Sequence, residues 1–249
     1  MTARPRRPRN TPLRTVIAVC GELVVTAGVL ALLYLVWLFW WTSVVANRHA
    51  DEAVAAFAVS APAVSAEPAE LRTGDPPVMP AAAPGETIGL LRVPRWSGLT
   101  ANAMPIVEGI GSDVLDRAAA GHYPSTQMPG DLGNVGLAGH RRTYGNSFRH
   151  VDLLREHDAI VVETAETWYV YQVTGWEIVE PTRSEVVAPV PHHPERAPTA
   201  RLLTLTTCHS LTAGEYGNDH RWITYAELVG WLPRSDGTPA VLSGTPVAS

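Results

Sequence analysis

Leu202-Leu203-Thr204-Leu205-Thr206-Thr207-Cys208 is a run of leucines and threonines that ends on a thiol. Both residue types suit a pleated, half-buried surface. Alternation at period 2 puts Leu203 and Leu205 on one face, with Cys208 just past the run. The following His209-Ser210-Leu211-Thr212-Ala213-Gly214 drops the pattern and reads as loop. A thiol at such an edge is held rigidly and stays reachable, as a nucleophile needs. The other use of a free cysteine is as a small buried hydrophobe.

Working outward, the chain from Glu86 repeats this construction. Ile88–Val93, Met104–Val107, Val135–His140, Ile160–Thr164, Trp168–Val179 and Trp222–Leu228 are further short β runs, separated by glycines and prolines. Two short helices are expected between them. One is capped at Ser112 or Asp113 and runs through Ala120; the other is capped at Asn146 or Ser147 and ends near Arg155. Many short strands with few helices predict a mainly β, closed or nearly closed barrel. Residues 181–200, with five prolines, read as a long irregular loop, and residues 234–249 as a disordered polar tail.

Upstream, Leu23–Trp41 is 19 residues without a charge, enough to cross the roughly 30 Å hydrocarbon layer at about 1.5 Å per residue. Trp37, Trp40 and Trp41 crowd one end as interface aromatics do, and no small-residue cleavage site follows. Residues 16–41 are therefore expected to be an uncleaved transmembrane helix. Five arginines and no acid lie in residues 1–15, which predicts a cytoplasmic basic tail and a single-pass membrane protein with the rest outside. Residues 42–249 hold 14 Arg against 23 Asp plus Glu, net −9, with no basic patch for nucleic acid. Residues 42–85 read as an extracellular spacer, with Asp51–Val59 expected to extend as helix from the membrane and the rest semi-extended: 12 Ala and 6 Pro make up half of residues 50–85. Residues 86–233 are expected to form the folded domain that carries the thiol.

This topology separates the two cysteines, Cys20 at the inner membrane face and Cys208 outside, so they cannot pair with each other. A lone exported thiol is a candidate nucleophile. It needs a proton partner and an oxyanion donor. His140 ends the apolar run Asn134–Gly139 at a comparable strand end, and Arg221 opens the last strand thirteen residues after Cys208. Gly136, Ala138 and Gly139 leave room for a close approach of backbone or substrate. His209 adjoins the thiol, but neighbours at a strand end diverge. His192-His193 lacks the clustered acids of a metal site, so neither metal nor cofactor is expected.

Together these residues resemble the sortase family of cysteine transpeptidases. Thr204-Leu205-Thr206-Thr207-Cys208 matches its TLxTC motif, Gly139-His140-Arg141 is similar to its histidine motif, and Arg221 falls where its arginine follows the cysteine. The resemblance spans about residues 86–230 and implies an eight-stranded β-barrel. It further implies that Cys208 attacks the Thr–Gly bond of a sorting signal, with His140 as general acid/base and Arg221 holding the oxyanion or the substrate backbone. Gly121-His122-Tyr123-Pro124-Ser125-Thr126 is similar to class E sortases of high-GC Gram-positive bacteria. There the matching tyrosine goes with an LAxTG-type rather than LPxTG-type signal. Tyr123, Thr126 and Thr207 are the implied substrate-binding residues. The implied partners are surface proteins bearing a C-terminal signal and an amine of a peptidoglycan stem peptide or its lipid-linked precursor. A pilus-polymerising sortase and a non-catalytic wall-binding scaffold are the alternatives. The first would carry an Asp-Pro-aromatic lid, whereas Asp75-Pro76 is followed here by Pro77.

Overall fold

The computed structural model describes residues 12–64, 67–101, 103–209 and 220–243. Most of the basic tail, the loop 210–219 and the last six residues lie outside the described residues. The chain divides into two compact units, residues 1–41 and 42–249.

In the first unit, α1 (Pro12–Val36) is strongly apolar and has no buried residue. At 1.5 Å per residue its 25 residues extend about 37 Å, long and apolar enough to cross a membrane. A π-helical turn, Trp37–Trp41, follows it. Tyr34 stacks on Trp37 with ring centroids 5.9 Å apart.

The second unit begins with α2 (Thr42–Ser60) and the short strand β1 (Pro68–Ala69), followed by β2 (Thr87–Arg92) and β3 (Met104–Glu108). Next come the one-turn helix α3 (Ser112–Leu115), β4 (Ala120–His122) and β5 (Gly133–Ala138). β6 (Ala159–Glu163), β7 (Thr167–Val179), β8 (Arg201–Cys208), β9 (Arg221–Pro233) and β10 (Thr238–Pro239) complete it. Eight strands close a barrel in the order β2-β3-β4-β5-β8-β9-β7-β6, and β2 pairs with β6 to seal it. Two contacts are parallel, β3 with β4 and β5 with β8; the others are antiparallel.

The interior is filled from alternate positions of these strands. Ile106, Leu137, Ile160, Val162, Tyr171, Leu203 and Leu205 are all essentially inaccessible. Each such side chain contributes about 1.5–3 kcal/mol by leaving water. Leu203 and Leu205 thus anchor the strand that carries the thiol.

Several expectations are revised. The helix anticipated from Ser112 to Ala120 stops at Leu115, and its last residue opens β4, an eighth strand too short to show a period. Ala118, between them, has φ +55°, which no helix accommodates. The helix anticipated from Asn146 to Arg155 is only a 3₁₀ turn at Val151–Leu153, since Tyr144 and Asn146 also adopt positive φ. The strand expected over Arg201–Cys208 is found with those bounds, and Cys208 is its last residue.

Residues 42–85 do not stand off as a free spacer. Ala46, Ala50 and Phe57 on one side of α2 are buried against Ala118, Tyr144 and Leu90. Beyond α2, β1 pairs in parallel with β10, and Arg72 exchanges both backbone hydrogen bonds with Trp231. Residues 234–243 are correspondingly ordered rather than loose. Buried Arg234 donates to the Pro62 carbonyl at 2.9 Å and to Glu163 at 2.8 Å. Backbone polar groups that an extended tether would leave to water are satisfied here on the barrel.

Candidate active site

Cys208 and Arg221 are directly opposed in the antiparallel β8–β9 ladder, so their side chains leave the same face. The period of β8 divides its residues. Leu203, Leu205 and Thr207 share one face; Thr204, Thr206 and Cys208 share the other, with Ile223 and Tyr225 beside them on β9. β5 runs parallel to β8 with Ala138 opposite Thr206, so His140, two residues on, comes level with Cys208. The ladder is carried past the formal end of β5 by Gly139 N–H donating to the Thr206 carbonyl at 3.1 Å. Thr207 Oγ1 donates back to the Gly139 carbonyl at 2.7 Å. Three neighbouring strand ends thereby carry Cys208, His140 and Arg221.

His140 is two-thirds or more buried and its Nε2 meets Asp116 Oδ1 at 2.8 Å, while Tyr144 lies against its ring with centroids 5.3 Å apart. Its neighbour Arg141 points elsewhere. That guanidinium is 4 % exposed, pairs with Asp152 at 3.1 Å, donates to the His209 carbonyl and lies 5.4 Å from the Trp222 ring. Burial pulls its pKa below the usual guanidinium range and Asp152 opposes this, so Arg141 keeps its charge. Arg141 therefore ties the strand end bearing His140 to the residue just after Cys208.

Tyr123 stands over the same outer face, its hydroxyl 2.9 Å from Thr206 Oγ1. Thr126 donates to the Tyr123 carbonyl at 2.8 Å and accepts from Gly136 N–H at 3.0 Å. Its hydroxyl is spent on fixing the Tyr123 turn. Thr207 is likewise engaged, on the face opposite Cys208. Of the residues inferred to touch substrate, Tyr123 and Thr126 both lie over the thiol's face, where a Cβ on Gly136 would meet each, while Thr207 Oγ1 turns to the Gly139 carbonyl. Beneath them, buried His122 joins Glu108 at 2.6 Å and the Gln127 carbonyl at 3.0 Å.

The small residues of β5 admit the protein's own side chains. A Cβ on Gly136 would lie 3.0 Å from Tyr123 Cδ2, and one on Gly139 would lie 2.9 Å from the Phe148 ring. On β7, Glu177 holds Tyr225 Oη and His192 Nε2, the latter at 2.6 Å. Burial, and then the Glu177 carboxylate, push the Tyr225 phenol upward, so it remains a neutral donor. His193 turns instead to Glu195. No group of three or more metal-ligating side chains occurs among the described residues.

Asp75 pairs with Arg201 at 2.9 Å, at the opposite end of β8 from the thiol. Seven residues of strand put about 23 Å between those ends. Asp116 and Arg141 gave no sign in the sequence beyond Arg141 adjoining His140, because both are brought in by loops that only the tertiary fold aligns.

The sortase domain family model matches residues 91–229. The chain is 34% identical to sortase SrtE1 of Streptomyces coelicolor over 96% of its own length and 64% of the relative's, and so spans just under two thirds of that protein. It is 32% identical to SrtE2 of the same organism, covering 90% of this chain and 86% of that one. Among solved structures, the SrtA sortase of Actinomyces oris superposes with a TM-score of 0.67 at 58% identity, over 72% of this chain and all of that one. Sortase E1 of S. coelicolor, solved with a tripeptide in its active site, gives 0.57 at 38% identity over 65% and 99%. With an eight-stranded barrel, three converging strand ends and relatives of class E, the chain belongs to the sortase family of cysteine transpeptidases.

Proposed function

We propose that this protein is a membrane-anchored transpeptidase that cleaves an LAxTG- or LPxTG-type sorting signal between Thr and Gly and joins the new carboxyl end to a cell-wall amine. The observation that carries this reading is the pairing of Cys208 with Arg221, with His140 at the adjacent strand end.

In the reaction, Cys208 Sγ as thiolate attacks the threonine carbonyl carbon. Charge develops on the carbonyl oxygen, where the Arg221 guanidinium supplies fixed donors. The C–N bond to glycine breaks as His140 delivers a proton to the departing amine, leaving a thioester. An incoming amine, of a peptidoglycan stem peptide or its lipid-linked precursor, attacks the same carbon. His140 takes its proton, the C–S bond breaks and Cys208 returns as thiolate. Tyr123, held to Thr206, forms the wall met by the signal's second residue. Asp75, stationed at the far end of β8, is badly placed to act as the lid of a pilus polymerase.

In this reading α1 anchors the chain with residues 1–15 in the cytoplasm and residues 42–249 outside, where signal and acceptor both lie. Residues 86–233 constitute the catalytic domain. Fluorogenic LAxTG and LPxTG peptides incubated with full-length protein test the reading. Cleavage lost in Cys208→Ala is expected. Cleavage that persists without the thiol, or none by the unaltered protein, would overturn it.

A further inference from the structure

His140 is gripped from two sides, and both grips rest on α2. On one side Asp116 Oδ1 lies 2.8 Å from Nε2. On the other, the Tyr144 ring lies 5.3 Å from the imidazole, centroid to centroid. Asp116 caps the end of α3, two residues before Ala118. Ala118 and Tyr144 pack with Ala46 and Ala50 of α2. The approach is close: a Cβ on Gly145 would fall 2.4 Å from Ala118 Cβ and 2.5 Å from Asn47 Oδ1.

The backbone around the imidazole is strained at the same points. Ala118, Tyr144 and Asn146 have φ of +55°, +50° and +57°. Left-handed conformations are unfavourable for most non-glycine residues and persist where their surroundings over-determine them. Here those surroundings include α2, the helix that directly follows the apolar N-terminal unit in sequence.

We propose that Asp116 is a positioning residue for His140 and that α2 holds it in place. The carboxylate accepts from Nε2–H, which fixes the neutral imidazole as the Nε2–H tautomer. Nδ1 is left as the nitrogen that exchanges protons with the leaving and incoming amines. The juxtamembrane helix is thereby part of the catalytic apparatus. The inference rests on the acid/base role given to His140 above, but its tautomer can be read without substrate.

The test uses full-length protein in detergent micelles with 15N-labelled histidine. Spectra are taken at alkaline pH, where the imidazole is neutral, and the His140 signals are assigned by their loss in His140→Gln. The unaltered protein is expected to show Nε2–H; Asp116→Ala is expected to lose that preference, and Ala46→Leu, which wedges α2 outward, to weaken it. In peptide cleavage Asp116→Ala should lower kcat about 10- to 100-fold with KM within about twofold, by analogy with the loss of partners that orient metal-bound histidines. Asp116→Asn, whose amide oxygen still accepts, should recover part of the loss. An Nδ1–H resting tautomer, or a tautomer and kcat unmoved by Asp116→Ala, would overturn the proposal. Cleavage independent of Cys208 would instead overturn the reaction itself.

Discussion

Cys208 and Arg221 are cross-strand partners at the open end of the β8–β9 ladder, one the last residue of its strand and the other the first of the next. Antiparallel pairing puts their Cα atoms about 4.5–5.5 Å apart and their side chains on one face. The sheet itself, rather than a loop, aligns the proposed nucleophile and the proposed oxyanion donor.

This pairing makes Arg221 intolerant of a point charge. Arg221→Lys keeps the charge but loses the planar fork of donors, so kcat/KM for a sorting peptide should fall by about 100-fold or more, as loss of an oxyanion donor does. Near-normal turnover would contradict the role.

The Tyr123 hydroxyl, 2.9 Å from Thr206 Oγ1, fixes the wall beside the thiol. Tyr123→Phe removes that bond and keeps the ring. Competition between LAxTG and LPxTG peptides is expected to show a severalfold change in the ratio of kcat/KM, larger than the change in overall rate. An unchanged ratio would remove Tyr123 from specificity.

Gly136 tests the same wall from behind. Gly136→Ala puts a methyl 3.0 Å from Tyr123 Cδ2 and 3.1 Å from Thr126 Cγ2, so both side chains must shift. Overpacking of this kind costs about 1–3 kcal/mol of stability. KM for the peptide should rise severalfold while the protein stays folded by circular dichroism; unaltered KM would show that the wall does not meet substrate.

Arg141 is a structural tie. Arg141→Ala leaves the His209 carbonyl and Asp152 without their partner, at a cost of about 2–3 kcal/mol. For a domain of this size the thermal midpoint should fall by roughly 4–12 °C. A midpoint unchanged by calorimetry would mean that the tie contributes nothing.

What the sequence disclosed followed from local periodicity. β8 is legible because Leu203 and Leu205 alternate with threonines, and β7 and β9 because each is long enough to show a pattern. β4 was missed: three residues, Ala120–His122, display no period, and they pair with β3 and β5 only once the barrel closes. Alanine and proline content made residues 42–85 look like a tether, because composition is blind to the single face Ala46, Ala50 and Phe57 present. At the site, Cys208, His140 and Arg221 announced themselves by position at strand ends. Asp116 did not, since nothing links it to His140, twenty-four residues on, until α3 and β4 turn it inward.

The most direct measurement is the intact mass of the full-length protein after mixing with a sorting-signal peptide and no acceptor amine. The expected result is an adduct equal to the peptide fragment ending at threonine, borne by Cys208, released by hydroxylamine and absent in Cys208→Ala. Cleaved peptide with no such adduct, or an adduct that survives replacement of Cys208, would contradict acyl transfer through this thiol.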